Sequence, residues 1–123
     1  HLWFGAYPVA KAGIEAMMQN AADEFGSSNI RFNAVRPGFI ETEIMEAIPR
    51  DSKTFQSYIE NTPLGNVGQP KDVGSLVKFL IGPESRWING QCINIDGGHS
   101  LRRGPQFTEF LMDLSEEQST EGK

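Results

Sequence analysis

The chain has 123 residues, 38% of them hydrophobic, and a net charge of −5 at pH 7. That length holds one compact domain or one lobe of a larger one, and an acidic balance with no basic cluster longer than Arg102-Arg103 argues against a nucleic-acid partner. One cysteine, Cys92, excludes an internal disulfide. With His1 and His99 as the only histidines, no zinc set assembles around it, and the expected setting is reducing and cytoplasmic. No apolar run approaches the roughly 20 residues of a membrane span, so no membrane partner is expected. The chain opens on His1, already close to patterned sequence, and upstream sequence is expected to be missing.

From Tyr7 to about Phe25, Ile14, Met17, Met18, Ala21, Ala22 and Phe25 recur at three- and four-residue steps, which predicts an amphipathic helix ended by Gly26. A Met and aromatic stripe of this kind belongs to a core or a subunit contact. From Asn29 to Val35, Ile30, Phe32 and Ala34 alternate with Arg31 and Asn33, a short strand stopped by Pro37-Gly38. Two weakly periodic pieces follow, Thr42 to Ile48 and Lys53 to Ile59, split by Pro49, and suggest a helical excursion over one end of a sheet. Asn61 to Pro70 is a loop. Pro70 then suits the first position of a helix, with Asp72 in its first turn and Val73, Leu76, Val77, Leu80 and Ile81 on one face, up to Gly82-Pro83. Ile93 and Ile95 mark a second strand, Gln91 to Asp96, and the residues from Asp113 to Lys123 are acidic, aperiodic and expected to be disordered. Helix, Gly turn, strand and Pro-Gly turn are the order of an α/β layer protein.

Tyr7 and Lys11 lie one helical turn apart, so their side chains can converge on one substrate atom. A free tyrosine ionises at about 10. An ammonium about 5 Å away, at an effective dielectric of about 20, favours the phenolate by roughly 3 kcal/mol and brings the phenol into the range of acid-base work. The Y-x-x-x-K spacing alone also occurs in many helices where both residues merely edge a core. The stretch after Asp96, Gly97-Gly98, lacks the G-x-G-x-x-G spacing of a phosphate loop, and no G-x-S-x-G nucleophile elbow is present. In "IDGG" the two glycines supply a tight reversal and Asp96 can hydrogen-bond nearby backbone.

Taken together, Tyr7 and Lys11 at the head of a helix, "NAVRPGFIETE" leaving a strand, the Pro70 helix and "GQCINIDGG" resemble, over roughly residues 5 to 100, the C-terminal half of a short-chain dehydrogenase/reductase. The resemblance implies an α/β fold, the C-terminal half of a Rossmann-like doubly wound parallel sheet spanning residues 1–112, with the N-terminal nucleotide-binding half absent. It implies that Tyr7 is the acid-base that exchanges a proton with a substrate oxygen, and that Lys11 lowers its pKa and hydrogen-bonds the nicotinamide ribose. Pro37 and Gly38 would let the backbone lie against the nicotinamide of NAD or NADP, the Ile40 main chain would meet its carboxamide, and the Thr42 hydroxyl would bind carboxamide or phosphate oxygen. The excursion from Glu41 to about Asn61, with Met45, Ile48, Phe55, Tyr58 and Ile59, would be a substrate lid, with an apolar alcohol or carbonyl compound as substrate. The helices that begin at Tyr7 and Pro70 would meet partner subunits in a homodimer or homotetramer.

This sequence departs from the family pattern in lacking the glycine-rich dinucleotide loop, the residue that selects NAD or NADP, and the catalytic serine upstream of the tyrosine. Two other readings therefore stand: a non-catalytic binding or regulatory relative, and a half-domain that pairs with a separate chain. Pro8, directly after Tyr7, implies that the helix starts later than in the family or carries a kink.

Overall fold

The computed structural model describes residues 4–102 and Met112; the acidic tail, 113–123, lies outside the described residues. In chain order the elements are α1 (Ala6–Glu24), β1 (Ala34–Pro37), α2 (Lys53–Glu60), α3 (Pro70–Ile81) and β2 (Cys92–Ile95), joined by short 3₁₀ turns. β1 and β2 pair in parallel with Ala34 opposite Cys92 and Pro37 opposite Ile95. Parallel neighbours need a crossover, and here it is the long excursion that carries α2 and α3. This is a Rossmann-like α/β arrangement.

α1 begins at Ala6, neither later than Tyr7 nor with a break after it. Pro8 is tolerated because it falls in the first turn, where its missing N–H would have had no intrahelical partner. The stripe expected to form core is only partly used: Met18 and Ala22 are buried, whereas Ile14 and Met17 are 50% and 67% exposed. α3 starts at Pro70 as its sequence predicts, with the Asp72 carboxylate accepting from the Gln69 N–H at 2.7 Å. α2 is capped by Ser52, whose hydroxyl accepts from the Phe55 N–H at 3.2 Å.

The first strand lies further along the chain than its alternation predicts, at 34–37 rather than 29–35. Before Ala34 the Phe32 carbonyl still accepts from the Gly90 N–H at 2.7 Å, but side chains take other bonds. The Phe32 N–H donates to Asn89 Oδ1 at 2.9 Å, and the Gln91 N–H donates to Asn33 Oδ1 at 3.0 Å. Arg31, expected as an outward strand residue, gives its guanidinium to the carbonyls of Leu80 (2.7 Å) and Ile88 (2.9 Å), and so ties the end of α3 to the run into β2. On β1, Arg36 reaches α1 in a two-pronged pair with Glu15 at 2.6 and 2.5 Å, which holds the Glu15 carboxyl below its usual range.

Pro37 ends β1 at no cost to the ladder, because the N–H groups that reach β2 belong to alternate residues: Ala34 donates to Gln91 O at 2.8 Å and Gly38 to Ile95 O at 3.1 Å. The next residue must be small. A Cβ on Gly38 would lie 2.7 Å from both Cα and Cβ of Asp96. Beyond β2, Asp96 folds the chain back as expected, its two carboxylate oxygens accepting from the Gly98 and Ser100 N–H groups at 2.9 Å each. Partial burial opposes ionisation of Asp96, but these bonds, a further one from the Ser100 hydroxyl and the nearby His99 outweigh it and hold the carboxyl below its usual range. Gly97 and Gly98 take φ of 61° and 87° and rest on Thr62 and Pro63.

Replacing Gly38 by alanine pushes the ends of β1 and β2 apart. The expected loss is about 1–3 kcal/mol, read as a lower denaturation midpoint in urea with an unchanged slope.

Candidate active site

Of the residues singled out in the sequence, Pro37, Gly38, Ile40 and Thr42 follow one another where β1 ends, and Tyr7 and Lys11 stand on α1. Phe39, the first residue after the Pro37-Gly38 turn, is buried and, with Ile48, forms a small core against which Phe4, Met45, Phe55, Tyr58 and Val67 pack. Tyr58 lies flat on Phe39, with ring centroids 4.2 Å apart and planes 17° from parallel, while Phe55 meets the same ring edge-on at 5.6 Å. Phe4 belongs to this cluster and also touches Tyr7 edge-on at 6.0 Å. The head of α1 is therefore held beside the carboxyl end of β1 by aromatic contact.

Lys11 stands one turn after Tyr7 and places its ammonium 5.3 Å from the centre of the tyrosine ring. The one-turn spacing permits this contact. Tyr7 itself is 56% exposed.

Ile40 forms a parallel bridge with Gly68. The bridge uses the Phe39 carbonyl, which accepts from the Gly68 N–H at 2.9 Å, and the Glu41 N–H, which donates to Gly68 O at 2.8 Å. Because successive peptide groups of an extended chain point to opposite sides, the N–H and C=O of Ile40 itself face away from Gly68, toward the side where a ligand could take them. The Thr42 carbonyl accepts from Met45 N at 2.8 Å and Glu46 N at 3.2 Å, whereas its exposed hydroxyl caps nothing and has no partner among the described residues. Gly38 is accounted for by its contact with Asp96, a different requirement from close approach to a ligand.

Beside Thr42 opens a cleft of about 180 Å³, walled by Phe39, Met45, Ile48, Phe55 and Val67 and rimmed by Glu41, Glu46 and Arg50. Two of its features are absent from the sequence reading. One is the stacking of Tyr58 on Phe39, a contact between residues far apart in the chain. The other is Glu41, whose only signal in the sequence is an acid immediately before Thr42. Tyr58 is further edged by His99, 5.6 Å away between ring centres, and His99 Nδ1 lies 3.3 Å from the Thr62 hydroxyl. That hydroxyl donates to the Tyr58 carbonyl at 2.7 Å, so it accepts from an Nδ1–H tautomer of His99. Burial in this cluster, and secondarily the charge of the nearby Tyr7, push the Tyr58 phenol up to about 12. Among the described residues no group of three or more His, Cys, Asp or Glu side chains could hold a metal ion, and no helix is long and apolar enough to cross a membrane.

A parallel α/β unit with a cleft beyond the carboxyl end of a strand is the arrangement of doubly wound α/β folds, which bind ligands in that position. Known proteins identify it more closely. A family model described as Enoyl-(Acyl carrier protein) reductase matches residues 3–100. The tropinone reductase homolog of Arabidopsis thaliana is 39% identical over 102 residues, covering 82% of this chain and 39% of that protein. A short-chain type dehydrogenase/reductase from Mycobacterium ulcerans superposes with a TM-score of 0.88 at 42% identity, covering 93% of this chain and 42% of the other. A putative 2-deoxy-D-gluconate 3-dehydrogenase from Agrobacterium tumefaciens, solved with bound NADP, superposes with a TM-score of 0.76 at 31% identity, covering 79% and 39%. The chain belongs to the short-chain dehydrogenase/reductase family, and it spans about two-fifths of the length of these relatives.

An absorbance titration of tyrosinate tests the cluster. Tyr58 is expected to keep its proton through pH 10 and to ionise at about 12, and Tyr7→Phe should lower that value. The unfolded chain loses this proton at about pH 10, so the folded state binds more protons between 10 and 12 and stability falls as pH rises through that window. Tyr58→Phe should flatten that slope.

Proposed function

We propose that this chain is the C-terminal half of a Rossmann-like domain and that the complete domain interconverts a hydroxyl and a carbonyl, using NAD or NADP. The observation that carries the reading is the Lys11 ammonium 5.3 Å from the Tyr7 ring, on a helix whose head is held beside the end of β1 through Phe4. Exposed Ile14 and Met17 on α1 support the assignment to half of a domain, since they form apolar surface that the remainder of a sheet or a partner subunit would cover. A homodimer or homotetramer built on α1 and α3 fits the same surface.

The residues present fit a nicotinamide dinucleotide. The Ile40 N–H and C=O, turned away from Gly68, match the acceptor and donor of a carboxamide, and the uncommitted Thr42 hydroxyl can serve carboxamide or phosphate oxygen. Pro37 and Gly38 end β1 just before both, and there the backbone would lie against the nicotinamide. When bound, the dinucleotide supplies or accepts the hydride.

In the direction of reduction, Tyr7 gives its phenolic proton to the carbonyl oxygen as the carbonyl carbon gains the hydride, and the product is an alcohol. In oxidation the phenolate of Tyr7 takes the hydroxyl proton back. The Lys11 ammonium, 5.3 Å from the centre of the Tyr7 ring, would stabilise the negative charge that develops on the phenol oxygen and would hold a ribose hydroxyl. Phe39, Met45, Ile48 and Phe55 exclude water from one side of the cleft and favour an apolar substrate.

The test uses the complete domain with NADH, NADPH and a panel of apolar ketones and oxoacyl thioesters, followed by loss of absorbance of the reduced nicotinamide. Tyr7→Phe is expected to lower kcat about 10²- to 10⁴-fold while dinucleotide binding is kept. Full turnover in that variant would show that another group moves the proton.

A further inference from the structure

Glu41 plays no part in the chemistry above, yet its carboxylate joins two separate parts of the structure. One oxygen accepts from Gln69 Nε2 at 2.6 Å, at the residue that opens α3, and the Glu41 main chain is pinned to Gly68 by the bridge beside it. The other oxygen pairs with Arg50. Arg50 lies in the loop between the turn Glu43–Ala47 and α2, and it is locked to the head of α2 by two contacts. Its carbonyl accepts from Gln56 Nε2 at 3.1 Å, and its guanidinium lies 5.9 Å from the centre of the Phe55 ring.

The segment 43–60 is thus tied at its middle to a carboxylate that is itself anchored on α3 and next to Thr42. Glu41, Thr42 and Arg50 all line the cleft. The side chains of Arg50 and Glu41 are 72% and 39% exposed. An exposed pair of this kind biases an equilibrium by about 2- to 5-fold, which tilts a lid toward closure without preventing it from opening.

We propose that Glu41 is a positioning residue that latches the segment 43–60 over the cleft through Arg50 and so sets how readily the dinucleotide and substrate enter and leave. The latch follows from the contacts themselves; its effect on ligands rests on the oxidoreductase reading.

The experiment compares amide hydrogen exchange and steady-state kinetics of the complete domain for wild type, Glu41→Gln, Arg50→Gln and the double variant. Glu41→Gln leaves an oxygen for Gln69 and removes only the charge that holds Arg50, while Arg50→Gln alters a side chain that is 72% exposed. Each single variant is expected to speed exchange in 43–60 by about 2- to 5-fold with α3 unchanged, and the double variant should do no more than either single one. The KM for the dinucleotide should rise by the same factor while kcat changes less than two-fold. High salt should speed exchange in the wild type alone. Wild-type exchange in both single variants, or a double variant whose effect is the product of the two, overturns the latch. Loss of turnover with every carbonyl, alongside the expected exchange pattern, refutes the oxidoreductase reading and leaves the latch supported.

Discussion

Everything described around the cleft depends on how closely the chain at Gly38 passes Asp96. Two parallel strands end side by side, and the missing Cβ of Gly38 lets the main chain of one touch the main chain of the other. That contact sets the point at which each strand leaves the sheet. On the β1 side, the turn sends Phe39 into the interior and Ile40 against Gly68. On the β2 side, Asp96 turns the chain back over Thr62 and Pro63 by accepting from Gly98 and Ser100. A side chain at residue 38 would have to move one of these departures, and every group beyond it would move as well.

The cleft is built from connections at the ends of strands, where a rigid sheet can present mobile loops. Its apolar wall is stiff because Phe39 is packed on one face by Tyr58 and on its edge by Phe55. Its rim is polar and exposed, held by Glu41, Arg50 and Gln69. These two kinds of contact differ in strength. Aromatic burial holds α2 against the core, and the exposed charges add a weaker bias to the segment 43–60 that contains it. Tyr7 and Lys11 stand apart from both, on α1, and are joined to the aromatic cluster through Phe4.

Local rules made much of this legible in the residues themselves. Pro70 and Asp72 mark the start of α3 because proline needs no partner for a missing N–H and an acid can serve an orphan donor, and both groups act that way here. The Asp96-Gly97-Gly98 reversal is likewise a matter of short-range hydrogen bonds and permissive φ. The first strand was harder. Alternation of Ile30, Phe32 and Ala34 is a real pattern, but the ladder starts only at Ala34; before it a main-chain bond, from the Gly90 N–H to the Phe32 carbonyl, stands beside bonds to the amide side chains of Asn33 and Asn89. Arg31 shows the same limit. Its charge reads as solvent-facing, yet two carbonyls released at the end of α3 and before β2 offer it better partners than water.

The sequence alone determined the order of elements, the turns between them and the four-residue spacing of Tyr7 and Lys11, since each is set by neighbours within a few residues. Tertiary structure decided which of those residues share a site. Phe4, Phe39 and Tyr58 become one cluster, and Glu41 meets Gln69, because the chain after β1 folds back on itself and on the residues ahead of α1. Contacts of that kind depend on the path of the chain in space, and no local pattern of residues encodes them.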